Sequence, residues 1–314
     1  MARLALTAVT RTQGANQALK DGTVQPDGFA LTFEEVPVLI RAFRRMVRGL
    51  EFDVTEMAFT TYLCAKAHGK RFTALPIFLV RGFHHGAMVR RATSDLGPKQ
   101  VEGAAVGVNR GYTVTTGVWA RAILQDEHGV DLSAVTWAPS GDEHVAEYQP
   151  PDNVVPMPPG ADLAESVAGG ELAAGVGITA DRPDLAPLIA DPDEAGYRAL
   201  RDRGFYPINH LVVVKDELLA AHPDLGRDLF TAFTEAKNRH VERLRKGQVA
   251  DPSPTDRMHL RVMEITGGDP LPYGIAPNRP MIDELMRHAV NQRILERPIP
   301  TGALFAAGTH DLTG

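Results

Sequence analysis

Short apolar segments alternate with amphipathic segments along the first part of the chain, and this alternation constrains the fold more than any other feature. Leu4–Val9, Phe29–Phe33 and Phe72–Phe78 have the length and apolar content of strands. Between the second and third of them, apolar residues recur at helical spacing, at Val36, Leu39, Ile40, Phe43, Met46 and Val47. Strands that alternate with helices predict a mostly parallel sheet with helices on both faces. The fold class is therefore predicted as α/β.

Two further apolar strands, His85–Arg90 and Ile208–Val214, bracket a middle region with strands and a helix of its own. The chain is thus predicted to leave one lobe, build a second and return, which gives two hinge crossovers and a cleft between the lobes. We expect residues 1–90 and 211–314 to form lobe 1, residues 91–210 to form lobe 2, and each lobe to be a mixed sheet flanked by helices. A chain of 314 residues is long enough for two such cores, and clefts between domains commonly bind small ligands.

Charge and cysteine content exclude several classes of function. The formal net charge of -6 provides no basic field for nucleic acid or an anionic membrane. The only cysteine, Cys64, cannot form an intramolecular disulfide or a cysteine-rich zinc site. The apolar stretch Leu4–Val9 is short and is closed by Arg11, which is typical of a strand and not of a secretion signal. We therefore expect a cytoplasmic protein with a small-molecule ligand.

Several blocks of sequence together resemble the 4,5-dihydroxyphthalate decarboxylase family. They are Leu4–Thr7, Phe52–Met57, Ala74–Phe78, Val106–Val108, Thr115–Leu124, Val135–Trp137 and Phe205–Val214. The resemblance implies a two-lobed fold like that of type II periplasmic binding proteins, in a cytoplasmic homo-oligomer. It also implies decarboxylation of 4,5-dihydroxyphthalate to protocatechuate with no organic cofactor. Asn109–Tyr112 departs from the family pattern, which leaves the substrate open.

The turn that leads into the predicted helix Thr113–His128 is a candidate anion site. The first backbone N–H groups of a helix have no partner inside the helix and lie at its positive end. Hydroxyl groups and a planar guanidinium nearby are suited to a carboxylate, and a tyrosine ring is suited to stacking. The candidate substrate-binding residues are Arg110, Tyr112, Thr113, Thr115 and Thr116. The alternative is ordinary threonine capping of a solvated turn.

Four residues are candidates for the chemistry. Decarboxylation of a phenolic acid requires a proton at the ring carbon that loses the carboxylate, and histidine titrates near neutral pH. His84 or His85 is predicted to donate this proton, His210 to pair with it, and Glu56 to hold a phenolic hydroxyl. The alternatives are histidines that only form hydrogen bonds, or a zinc, iron or manganese site built from the same four residues. The short ligand spacing of a strong metal motif is absent, so we expect no metal.

Further residues lie at predicted strand and loop ends. Arg81 is expected to bind a second carboxylate, and Thr10 and Arg11 follow the first strand where parallel sheets present ligand-binding loops. Glu143, His144, Tyr148 and Tyr273 are weaker candidates of the same kind. The competing functions are a non-catalytic binder or sensor of a small carboxylate, and a related enzyme for another aromatic acid.

Overall fold

The computed structural model describes residues 3–314, and within them the chain forms ten strands and eleven α-helices. The strands are β1 (Leu4–Val9), β2 (Phe29–Phe33), β3 (Val54–Ala58), β4 (Phe72–Arg81), β5 (Met88–Arg91), β6 (Ala105–Val108), β7 (Thr136–Pro139), β8 (Ala174–Val176), β9 (Leu185–Pro187) and β10 (Ile208–Lys215). The helices are α1 (Gly14–Lys20), α2 (Leu39–Gly49), α3 (Phe59–Ala67), α4 (Thr115–His128), α5 (Leu163–Gly169), α6 (Pro192–Arg203), α7 (Asp216–Ala221), α8 (Leu225–Arg245), α9 (Pro254–Thr266), α10 (Arg279–Asn291) and α11 (Thr301–Leu304). None of the helices within this range is long and apolar enough to cross a membrane.

The first compact unit contains the chain up to Gly82, Ile208–Asp283 and Ile299–Gly314. Its five strands lie in the order β2-β1-β3-β10-β4. β1 is parallel to β2 and β3, while β10 is antiparallel to both β3 and β4. Strand β3 is buried along its whole length, as expected for a strand covered on both faces. The helix α2 buries Ala42, Phe43, Met46 and Val47 and contacts β3, in agreement with its predicted apolar face.

The second compact unit contains Phe83–Pro207 and Glu284–Pro298. Its strands lie in the order β7-β6-β8-β5-β9, with β6 parallel to β7 and β8, and β5 antiparallel to β8 and β9. The helix α5 packs on this sheet so closely that a Cβ at Gly107 of β6 would lie 2.1 Å from the Leu163 side chain. Both sheets are mixed and carry helices, as predicted.

The observed unit boundaries correct the predicted ones in three places. Residues 83–90 lie in the second unit because β5 pairs with β8 and β9, and residues 208–210 lie in the first because β10 begins by pairing with Arg81. Residues 284–298 also belong to the second unit, where Gln292 bonds to Arg121 and to the Val118 carbonyl of α4. The chain therefore passes between the two units at two further points, inside α10 and after Pro298, in addition to the two predicted crossovers.

Close packing at Gly14 attaches α1 to α8. A Cβ at Gly14 would lie 2.0 Å from the His240 ring, and that ring is held by a 2.8 Å bond to Asp256. Because the imidazole cannot move without breaking this bond, we expect Gly14→Ala to lower the free energy of unfolding by about 1–3 kcal/mol. The matched variant is Gly169→Ala, where a Cβ has no neighbour within 4 Å. Urea unfolding should show loss of stability in the first variant alone, and equal stability of the two would contradict this packing.

Candidate active site

Several chain ends of the first unit meet at one edge of its sheet. The strands β1, β3 and β4 run in the same direction, so their carboxyl ends and the start of the antiparallel β10 lie together. The residues that follow β1 are Thr10 and Arg11, Arg81 ends β4, and His210 is the third residue of β10. The carboxyl-end edge is where open α/β sheets bind ligands.

Glu56 of β3 is the centre of a polar cluster at this edge. Its side chain is completely buried. One carboxylate oxygen accepts the backbone N–H of Arg11 at 2.8 Å, and the other accepts Nε of Arg11 at 2.8 Å. The second oxygen also contacts Nδ1 of His210 at 2.6 Å. Three of the predicted residues, Arg11, Glu56 and His210, are thus brought together.

The charge state of this cluster follows from its partners. Burial alone would raise the pKa of the Glu56 carboxyl, but bonding to His210 and the charges of His210 and Arg11 outweigh it and lower the pKa below its usual value. Glu56 is therefore ionised at neutral pH. A 2.6 Å contact between Nδ1 and an ionised oxygen requires a proton on Nδ1, so His210 donates to Glu56. The 3.0 Å approach of an Arg11 guanidinium nitrogen to the same Nδ1 is then a close contact and not a hydrogen bond.

Backbone irregularity places the His210 ring. The pairing of β10 with β4 shifts register on both sides of His210, between Ile208 and His210 and again between His210 and Val212. Such bulges redirect a side chain from the regular alternation of a strand. The imidazole packs edge-on against Phe43 of α2, with ring centroids 5.2 Å apart, and 12% of the side chain is exposed. Nδ1 faces Glu56, which leaves Nε2 on the opposite side of the ring.

The loop after β1 is fixed by its own hydrogen bonds. The Thr10 hydroxyl accepts from Asn16 Nδ2 at 3.0 Å, and the Thr10 carbonyl accepts from Lys20 Nζ at 2.8 Å. Asn16 and Lys20 were not identified from the sequence. Thr10 is thus bound within the loop, while Arg11 has 42% of its side chain exposed next to Glu56.

Arg81 lies near buried polar groups, Asn278 and His259 of α9 among them. Its guanidinium donates to Oδ1 of Asn278 at 2.6 Å. Nearby, His240 Nε2 and Asp256 Oδ1 are 2.8 Å apart, and His259 follows Asp256 by one helical turn. Helix α9 was not predicted from the sequence, although Ser253 and Asp256 form a capping box with Pro254 at the first helical position, which is a helix-start signal.

Burial of His259 should make the stability of the protein depend on pH. Burial, more than any other effect, lowers the pKa of this imidazole to about 4. The unfolded chain takes up the proton near pH 6.5 and the folded chain only near pH 4, so stability is full above pH 6.5 and falls as the pH drops towards 4. We expect His259→Asn to remove roughly 3 kcal/mol of this loss, and His222→Asn, at an exposed histidine, to remove none. The free energy of unfolding, measured at pH 7 and at pH 4, gives this loss for each protein. An equal loss in the wild type and in His259→Asn would contradict the role of His259.

In the second unit, the turn before α4 is already bonded to a carboxylate of the chain. Glu143 accepts the backbone N–H of Tyr112 at 2.5 Å, the N–H of Thr113 at 3.2 Å and the Thr113 hydroxyl at 2.6 Å. The predicted donors of the anion site are therefore real donors, and their partner here is Glu143. Thr115 and Thr116 begin α4 directly after this turn.

Arg110 and Arg121 flank the same turn. Arg110 has a left-handed backbone with φ 71°, and its N–H bonds to the Ser140 hydroxyl at 2.8 Å. Arg121, which the sequence analysis did not identify, is fully buried. It donates to the Tyr112 carbonyl at 2.6 Å and to Gln292 at 2.8 Å, and its guanidinium lies 3.9 Å from the centre of the Tyr112 ring.

His85 lies away from the start of α4. Its Nε2 contacts the Glu127 carboxylate at 3.1 Å, and Glu127 also pairs with Arg203. Glu127 is twelve residues beyond Thr115 in the same helix, a distance of about 18 Å along its axis. His84 is buried beside it in the chain. Both belong to the second unit, whereas Glu56 and His210 belong to the first.

A cluster of residues 126, 284 and 288 consists of side chains of the kinds that bind metal ions. Asp126, Glu284 and His288 bring their ligand atoms within 4.8 Å of one another. A guanidinium nitrogen of Arg287 lies 2.6 Å from Asp126, 2.6 Å from Glu284 and 2.8 Å from His288. The hydrogen bond to His288 and the pairing with Arg287 lower the pKa of Glu284 to about 2. The arginine thus already supplies the positive charge that these groups require.

Comparison with known proteins places the chain in a family. The 4,5-dihydroxyphthalate decarboxylase of Comamonas testosteroni is 28% identical over 326 residues, which cover 97% of each chain. The protein of the same name from Pseudomonas putida is 30% identical over 203 residues, which cover 58% of this chain and 77% of the relative. This chain belongs to the 4,5-dihydroxyphthalate decarboxylase family. The family resemblance predicted from the sequence is thereby confirmed.

Solved structures similar to this family member include binding proteins and an enzyme. The aliphatic sulphonate binding protein SsuA from Escherichia coli is 11% identical, with a TM-score of 0.56 over 100% of this chain and 95% of that chain. A mutant of the desulfurization enzyme DSZB in complex with biphenyl-2-sulfinic acid is 14% identical, with a TM-score of 0.57 over 98% of each chain. No protein-family model matches the chain. At these identities the likeness concerns the fold, and it confirms the predicted periplasmic-binding-protein-like class.

Proposed function

We propose that this chain is a carboxy-lyase that decarboxylates a hydroxylated aromatic acid such as 4,5-dihydroxyphthalate, yielding protocatechuate and carbon dioxide without an organic cofactor. Membership of a decarboxylase family supports the reaction class. The observation that carries the mechanism is the 2.6 Å contact between His210 Nδ1 and the buried carboxylate of Glu56. An imidazole bonded in this way has a fixed tautomer and can transfer a proton at its other nitrogen.

In this mechanism His210 is the catalytic acid. Its Nε2 delivers a proton to the ring carbon that bears the leaving carboxylate, while the hydroxyl para to that carbon supplies electron density. The carbon–carboxylate bond then breaks, its electron pair returns to the ring, and carbon dioxide leaves. The imidazole regains a proton from solvent, so each turnover consumes one proton.

Glu56 is a positioning residue in this mechanism. In place of the predicted bond to a phenolic hydroxyl, this mechanism uses the bonds that the two oxygens of Glu56 accept from Arg11 and His210. Its negative charge instead stabilises the protonated imidazole and fixes the ring. The half-exposed guanidinium of Arg11 is available to a carboxylate of the substrate beside this pair. Contacts of Arg81 and Arg110 with substrate carboxylates stay predictions. Proton donation by His84 or His85, as predicted from the sequence, is the alternative to His210 as the acid.

The fold alone supports a second candidate, a non-catalytic binder, because solved proteins of this fold include sulphonate-binding proteins. Family membership and the Glu56–His210 pair favour the enzyme. The cytoplasmic location and the homo-oligomeric state also stay predictions, which cell fractionation and light scattering would test.

A substrate series tests the proposed chemistry. Carbon dioxide release should be fast from 4,5-dihydroxyphthalate and much slower from phthalate, which lacks the electron-donating hydroxyls. Treatment with EDTA should leave the rate unchanged. Equal rates for the two acids, or an activity that depends on added metal, would reject ring protonation without a cofactor.

A further inference from the structure

The turn before α4 is built to hold a carboxylate. Two backbone N–H groups, of Tyr112 and Thr113, and the Thr113 hydroxyl converge on the Glu143 side chain. A Cβ at Gly111 would lie 2.6 Å from the Glu143 carboxylate. The absence of a side chain at Gly111 therefore leaves the space that this carboxylate occupies. These donors fit a carboxylate regardless of the molecule that carries it.

Positive charge beside this turn comes from two arginines. Arg121 is fully buried, and among the described residues its Nη1 has no hydrogen-bond partner. Nη1 lies 3.2 Å from the position of a Cβ on Gly117, so it points towards the first turn of α4. No ion pair joins Arg110 to any part of the chain within residues 3–314, so its guanidinium adds a positive charge that no carboxylate of the described chain neutralises.

We propose that Gly111–Thr113, with Arg110 and Arg121, is a carboxylate subsite for the aromatic acid, and that Glu143 fills it until the substrate carboxylate displaces it. The identity of the ligand rests on the proposed function. The occupied subsite lowers the apparent affinity, because a ligand binds only the fraction of molecules in which Glu143 has left. If Glu143 fills the subsite nine times in ten, its removal raises affinity about tenfold.

Binding of phthalate, which lacks the reactive hydroxyls, tests this subsite by calorimetric titration. We expect Glu143→Gln to bind phthalate about tenfold or more tightly than the wild type. The matched variant Asp181→Asn removes one exposed negative charge from the same unit and should change the affinity less than twofold. An unchanged affinity in Glu143→Gln would overturn the proposal.

Rescue by acetate is the second measurement and covers variants that fold poorly. Glu143→Ala should gain thermal stability in acetate beyond that in an equal concentration of sodium chloride, whereas the wild type should not. A variant that stays unfolded in acetate, or that responds equally to both salts, would count against the subsite. Because neither measurement needs turnover, a protein without decarboxylase activity can still pass both, and an active decarboxylase can fail both.

Discussion

Replacing His210 by asparagine should lower kcat by about 10²- to 10⁴-fold, the range that a positioned general acid contributes. KM should change little, because in the proposed mechanism the imidazole acts mainly on the transition state. Asparagine keeps a polar group of similar size beside Glu56, so the fold should be retained. Steady-state kinetics with 4,5-dihydroxyphthalate at pH 7 measures both constants.

Two comparisons decide whether this loss belongs to the proposed acid. His222→Asn changes an exposed histidine of the same unit and should leave kcat within a factor of two. Glu56→Gln should lower kcat less than His210→Asn, because the neutral amide still occupies the position but no longer stabilises the imidazolium. If His210→Asn retained most of the wild-type kcat while His84→Ala or His85→Ala abolished activity, the acid would lie in the second unit.

Replacing Arg121 by alanine should lower the free energy of unfolding by about 3–5 kcal/mol. The variant leaves the Tyr112 carbonyl and the Gln292 side chain without their donor, and each unsatisfied buried acceptor costs about 1–3 kcal/mol. It also removes the guanidinium that lies 3.9 Å from the Tyr112 ring. Burial lowers the pKa of Arg121, but an arginine stays protonated at neutral pH, so the wild type keeps its charge.

Tryptophan fluorescence during urea unfolding suits this measurement, because Trp119 and Trp137 are the only tryptophans and both lie in the second unit. The matched variant Arg198→Ala removes an exposed arginine from α6 and should change stability by less than about 0.5 kcal/mol. A loss below about 1 kcal/mol in Arg121→Ala would mean that its hydrogen bonds are replaced by solvent.

Periodicity in the sequence predicted most elements of the fold but not all. Strongly apolar strands such as Ile208–Lys215 and amphipathic helices such as α2 were found, because their patterns are long enough to read. The three-residue strand β9 is too short to carry a pattern, and α6 lies in a stretch so rich in charged residues that it shows little apolar periodicity. The segment 284–298 was assigned to the wrong unit because side-chain contacts with α4, not local sequence, decide its place.

The sequence was sufficient to predict which residues belong to the candidate site, but not which of them contact one another. Arg11 and Glu56 are 45 residues apart, and Glu56 and His210 are 154 apart. Their contacts depend on strand order and on the bulges around His210, which no local pattern encodes. The same limit applies to Glu143: a carboxylate at the turn before α4 was expected to come from the substrate, and it comes from the chain itself.

The most direct test of the central claim is the amount of carbon dioxide released by purified wild-type protein from an excess of 4,5-dihydroxyphthalate. We expect many equivalents of carbon dioxide per chain, each with one equivalent of protocatechuate and the uptake of one proton. Tight binding of the acid with no release of carbon dioxide would contradict it, and would make the chain a binding protein that has kept the family's sequence without its reaction.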